Sequence, residues 1–144
     1  MLWDDRIFSF EDEEKKKELN LYSWFAVETL LATEGSPSDW YTYDEIESEN
    51  INYIGLRDGM YGYVNYDKVI HLIEMSDYYE EIKKLIGLSG YEFSINITIT
   101  DGSENNSAFI GYKGDCSKTT RITRFATDNK KRIYKINYEG CIAK

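Results

Sequence analysis

At 144 residues the chain suits one domain, long enough to bury roughly 70% of the surface its unfolded form exposes. One proline and 10 glycines exclude collagen-like and low-complexity character, while 13 Tyr, 3 Trp and 6 Phe make the chain rich in aromatics. The net charge of −9 is uneven: residues 1–50 carry four basic and fourteen acidic side chains, residues 101–144 nine basic and five acidic. Phosphate binding needs clustered Lys and Arg, so an acidic front half argues against nucleic acid and anionic lipid as partners. The asymmetry reads either as an aid to solubility or as a means of aligning identical subunits, acidic end to basic end.

No window holds the ~18 continuous apolar residues of a membrane span, and Asp4, Asp5 and the acids at 11–14 do not fit a signal peptide. The expectation is a soluble chain. Residues 1–10 show no clean period and read as a lead-in. Ser9 is a candidate N-cap, the acids at 11–14 suit the positive end of a helix dipole, and Glu11, Asp12 and Glu13 each precede a Lys by four residues. An N-terminal helix is therefore expected over 11–34. From Leu19 on, Leu21, Trp24, Phe25, Val27, Leu30, Leu31 and Ala32 cover well over half of its circumference. A helix so apolar is expected to be wrapped on more than one side, as the spine of the fold.

Gly35 is a good residue to end that helix and Pro37 forbids its continuation, with Trp40 as a lid on the core. Residues 35–65 read as loop and short strands, with strands at 53–56 and 60–64 about a turn at Asp58-Gly59. Residues 66–88 read as a helical pair: one helix capped by Asn65 or Asp67, with Val69, Ile70, Leu72 and Ile73 inside, and a second over 79–85 closed by Gly87. After Gly90 the period becomes two. Tyr91, Phe93, Ile95, Ile97 and Ile99 alternate with Glu92, Ser94, Asn96, Thr98 and Thr100, the mark of a half-buried strand. A turn at 101–106, a strand from 108 and a hairpin of 120–126 with 132–138 complete an antiparallel sheet over 91–140. The fold class is α+β: the N-terminal helix as spine, two further short helices, then about four antiparallel strands in one domain, 1–144.

A hairpin turning at Asp128-Asn129 sets Cys116 and Cys141 opposite each other. They read either as a disulfide in an oxidising compartment, which the facing register favours, or as two buried thiols. Zinc wants four ligands and the chain has one His, which argues against a zinc site; His71 falls beside Leu72 as a partly exposed helix residue. No nucleophile, dinucleotide or phosphate-loop motif occurs, so no catalytic residue, metal or cofactor is assigned. A carboxylate pair for hydrolysis finds support only in the number of acids. The loops 44–50 and 101–106 offer hard oxygens for calcium without a recognised ligand pattern, and otherwise read as solvated acids. Asn96-Ile97-Thr98 and Asn105-Asn106-Ser107 are glycosylation sequons, Asn96 on the polar face of the clear strand and Asn105 in a turn. Tyr41, Tyr43, Tyr61, Tyr63 and Tyr66 read as core and rim packing or as a binding surface.

Four signatures recur in order: GSPSDW at 35–40 with Gly35, Pro37 and Trp40, Ile54-Gly55-Leu56-Arg57, YDKVIHL at 66–72, and YYEEIKKLIGLSGYEF at 78–93. The series resembles the external domains of archaeal type IV pilin-like and pseudopilin-like proteins, over residues 19–99. That resemblance implies an α+β domain displayed at the cell surface behind a processed hydrophobic helix (a class III signal peptide). It also implies pilin-like subunits as partners, a non-catalytic structural role, and membrane attachment only through an anchor helix that this stretch lacks. The other reading is a small acidic cytosolic inhibitor or immunity-type protein that sets the loop at 44–50 against a basic partner.

Overall fold

The computed structural model describes residues 2–43, 50–87 and 90–144, with side chains from Glu13 onward. Helix α1 spans Leu2–Ala32, a one-turn 3-10 helix Trp40–Thr42, α2 Tyr66–Glu74 and α3 Tyr79–Leu85. Strands β1 (Glu92–Asp101), β2 (Glu104–Gly111), β3 (Cys116–Thr127) and β4 (Ile133–Ala143) form one antiparallel sheet in the order β2-β1-β4-β3. The expected α+β class, with helices first and four strands after, is the observed one.

Along α1, Leu19, Ser23, Ala26, Val27, Leu30 and Leu31 recur at helical spacing and are buried on the sheet. The inner face of the sheet meets them with Phe93, Ile95 and Ile97 of β1 and Tyr134, Ile136 and Tyr138 of β4. The approach is close. A Cβ at Gly140 would lie 2.1 Å from Ser23 Oγ, so only glycine lets the helix settle there. Polar contacts tie the same helix to β3 and the start of β1. Lys16 Nζ donates to the Thr119 carbonyl, Thr120 bonds Asn20, and Tyr91 donates to Glu18 at 2.6 Å.

Several expectations are corrected. The helix is described from Leu2, so residues 2–10 of the expected lead-in are helical and Ser9 lies inside the helix. The strands at 53–56 and 60–64 reduce to isolated bridges, Ser36 with Tyr53, Arg57 with Val64 and Tyr63 with Thr127, because the first segment turns to bond the end of α1 and the second turns to bond the end of β3. Asn105 is not in a turn: the hairpin is tight, with Gly102 at φ +64°, and β2 begins at Glu104. β3 and β4 are longer than expected and turn around Asp128–Arg132. Asp128 Oδ1 there accepts the main-chain N–H of Lys130 and Arg132 (2.9 and 3.0 Å), while Oδ2 accepts from Arg132 Nη1 (2.9 Å) and Tyr134 OH (2.7 Å). The register follows: Thr119, not Cys116, stands opposite Cys141.

Candidate functional site

Two places concentrate what the sequence singled out: the C-terminal end of α1, and the surface of α1 itself. The last turn of a helix leaves four carbonyls without intrahelical partners. Here Thr33 Oγ1 donates to the Thr29 carbonyl (2.5 Å), the Leu56 N–H to Leu30 (2.7 Å) and Arg57 Nη1 to Ala32 (2.7 Å). Lys68, buried on α2, donates from Nζ to the carbonyls of Glu34 (2.8 Å) and Arg57 (3.2 Å). Two cations thus sit at the negative end of the helix dipole. Burial lowers the Lys68 ammonium below its ordinary value despite Glu34 and Asp58 nearby.

The signature residues build this node. Gly35 at φ +89° reverses the chain, the Ser36-Pro37 bond is cis, and Trp40 is fully buried with Nε1 donating to the Gly55 carbonyl at 2.9 Å. A Cβ at Gly55 would lie 2.3 Å from the Thr33 carbonyl and 2.4 Å from Gly35 N. Gly35, Pro37 and Trp40 therefore act with Ile54-Gly55-Leu56-Arg57 as one structural joint that fixes α1 on the rest of the domain. Trp40 lies within the core rather than over it. Asn65 is the cap of α2, its side chain accepting from Lys68 N at 3.2 Å.

The other face of α1 is bare. Leu21, Trp24 and Phe25 are 54%, 48% and 53% exposed, and they stand on the side of the helix opposite Leu19, Ser23, Ala26 and Leu30. Trp24 and Phe25 meet edge to face with ring centroids 5.6 Å apart. Among the described residues the expected wrapping on more than one side holds only at the end of α1, where the segment around Leu56 and Arg57 joins the sheet; around Leu21, Trp24 and Phe25 the sheet covers one side only. A contiguous run of large apolar side chains in water is costly and marks a contact surface. Sequence reasoning found these residues and misassigned them to the core. Their signal was the company they keep: Glu14, Lys17 and Glu28 fall on the same side of the helix as Leu21 at helical spacing.

Cys116 and Cys141 form a disulfide with Cα atoms 5.6 Å apart. Cys116 pairs with Ala143 across a bulge between positions 116 and 118. Residues that pair share a face, so the bulge turns Cys116 to the side of Cys141 and the bond runs diagonally. It ties edge strand β3 to central strand β4. Asn96 and Asn105 are both exposed on the outer face of the sheet, the one turned away from α1, and the hydroxyls of their sequons, Thr98 Oγ1 and Ser107 Oγ, are 3.1 Å apart. His71 is half-buried against Trp40, with ring centroids 5.9 Å apart. Tyr41 and Tyr43 pack on the core, whereas Tyr61, Tyr63 and Tyr66 are exposed, Tyr66 lying under the Arg132 guanidinium at 4.0 Å. Of the acidic loop at 44–50, residues 44–49 lie outside the described residues. Among the described residues no three metal-ligating side chains come together, and no helix is long and apolar enough to cross a membrane.

No protein family, curated protein or solved structure matches this chain.

Proposed function

We propose that the chain is the external domain of a pilin-like subunit of a cell-surface assembly, acting through contacts with neighbouring subunits rather than by catalysis. The observation that carries this reading is the bare stripe Leu21–Trp24–Phe25 on a helix whose opposite side is fully used by the sheet. In such an assembly α1 is the shared element: one side holds the domain and the other meets a neighbour's helix. Two further features support it. A disulfide persists in an oxidising compartment rather than in the cytosol, and three of the four signatures that resemble pilin-like domains meet at the joint ending α1.

The test is substitution on the stripe. Trp24→Glu and Phe25→Glu leave the buried side of α1 intact, so each variant is expected to fold and then to be missing from surface filaments or complexes of the expressing cell. Normal incorporation of both charged variants would sink the proposal.

A further inference from the structure

The sheet is open at both edges, and the edges carry opposite charge. β2 is outermost on one side and β3 on the other. Residues 101–111 hold Asp101 and Glu104 and no basic side chain; residues 116–127 hold Lys118, Arg121 and Arg124 and no acid, Asp101 being paired with Arg132 and Arg121 with Glu139.

The main-chain groups that face outward can be read from the hydrogen-bond phase. Tyr112 N donates to the Phe93 carbonyl at 2.8 Å, so Ile110, Ala108 and Asn106 bond to β1 and the main chain of Phe109, Ser107 and Asn105 points away. On the far edge Thr127 bonds outward to Gly62 and Val64 (3.0 and 2.9 Å). Alternation then turns the main chain of Phe125, Thr123 and Arg121 outward, and the Thr119 carbonyl, in the same phase, takes Lys16. Between those two contacts lies a stretch of edge with no backbone partner among the described residues. The only side chain on it is Arg124 itself, whose Nη1 reaches the Thr123 carbonyl at 3.1 Å.

The inner faces match as well. Thr120, Ile122 and Arg124 stand opposite Gly140, Tyr138 and Ile136 on the inner side of β3. Glu104, Asn106 and Ala108 take that side on β2. Between β2 and α2 is a cavity of about 400 Å³, floored by Ile70, Ile73, Ile97 and Ile99, with Asp101, Glu104 and Arg132 at its lip and Asp101 already 3.3 Å from Arg132 Nε. An apolar floor with Glu104 at its edge suits a long side chain with an aliphatic stem and a cationic end.

We propose that β3 of one copy of this chain adds to β2 of the next, continuing the antiparallel sheet across the boundary and placing Arg124 opposite Glu104. Four antiparallel strands are an even number, so the two edges run in opposite directions. A copy displaced along the sheet therefore presents β2 antiparallel to β3 with its inner face on the same side. In this register Ile122 meets Asn106 and Thr120 meets Ala108, while Thr123 and Arg121 exchange main-chain hydrogen bonds with Asn105 and Ser107. The contact is heterologous and open-ended, as a filament requires. It rests on the reading of the chain as an assembly subunit and adds a contact separate from the stripe on α1.

The experiment mixes two variants of the disulfide-bonded chain, Asn105→Cys and Thr123→Cys, at physiological ionic strength under mild oxidation. The expected product is a dimer linked between positions 105 and 123, formed by the mixture and by neither variant alone. Adding Glu104→Arg to the first variant, or Arg124→Glu to the second, lowers the association constant about tenfold, and mixing the two reversed variants restores it. No 105–123 link, equal linking within single variants, or failure of the reversed pair to restore it overturns the proposal. A parallel mixture carrying Trp24→Glu separates the two readings. A 105–123 link that persists there while surface assembly is unaffected by Trp24→Glu sinks the α1 contact alone; loss of the link with stripe-dependent assembly intact sinks the edge contact alone.

Discussion

The indole N–H of Trp40 donates to the carbonyl of Gly55 at 2.9 Å, across a place where Gly55 has no room for a Cβ. This bond joins the turn after α1 to the segment that returns to cap its last carbonyls. Trp40→Phe keeps most of the ring but leaves a buried carbonyl unpaired, at a cost of about 1–3 kcal/mol. Gly55→Ala forces backbone apart and is expected to cost about 3 kcal/mol. Urea unfolding with an unchanged slope and a lowered midpoint measures both; wild-type midpoints would show that the joint contributes nothing.

The seat of α1 on the sheet predicts a coupled pair. Gly140→Ala places a Cβ against Ser23 Oγ and is expected to destabilise by about 2 kcal/mol. Ser23→Ala removes the obstructing oxygen, so the double variant recovers at least about 1 kcal/mol of that loss. A double-mutant cycle by chemical denaturation reads this directly, and strict additivity would contradict the close approach.

The disulfide closes a loop with a sequence separation of 25, so its removal in a Cys116→Ser, Cys141→Ala variant is expected to cost about 3–4 kcal/mol. The loss should concentrate where β3 begins and β4 ends. Hydrogen exchange is expected to rise there first and to leave Ile95 and Ile97 protected.

Asp128 gives the fold an acid limb. Burial pushes its carboxyl up, but hydrogen bonds from Tyr134, from the Arg132 side chain and main chain and from Lys130 N more than offset it and hold the group below its ordinary 3.8. A carboxylate lowered by folding contributes stability that is complete above the unfolded value and is lost as pH falls through the folded one. The denaturation midpoint is therefore expected to be level near neutrality and to fall below about pH 4. In Asp128→Asn the neutral midpoint is lower and this part of the acid loss is gone. An unchanged acid limb in that variant would assign it to other carboxylates.

Much of the fold was legible because local signals agreed with the tertiary outcome. The alternation from Phe93 to Ile99 is a strand with one face on the core, and Gly35-Ser36-Pro37 does end the first helix. The start of α1 was misread because Ser9 resembles a cap, although no Gly or Pro interrupts residues 2–34 and helix propagation wins there. The length of β3 was hidden because Lys118, Thr119, Thr120 and Arg121 lie on an edge strand where burial imposes little alternation. The disulfide pairing was read correctly from a register that was not. The hairpin turns later than Asp128-Asn129, and the bulge before Lys118 brings Cys116 back to Cys141. Nothing local says that Gly55 meets Gly35, or that Lys68 reaches the end of α1. The exposed side of α1 was misread for a different reason: the apolar run from Leu21 to Ala32 outweighed Glu14, Lys17 and Glu28 on that side, and such a run is silent on whether its second cover comes from the same chain.

A photo-cross-linking amino acid at position 24, in the chain expressed in its native cell, reads the bare side of α1 directly. Covalent products joining α1 to a helix of a second copy or a related subunit at the cell surface are expected, abolished by Leu21→Glu. Products only with cytosolic proteins, or a position 24 that reacts with water alone while the protein works normally, would contradict the proposed subunit contact.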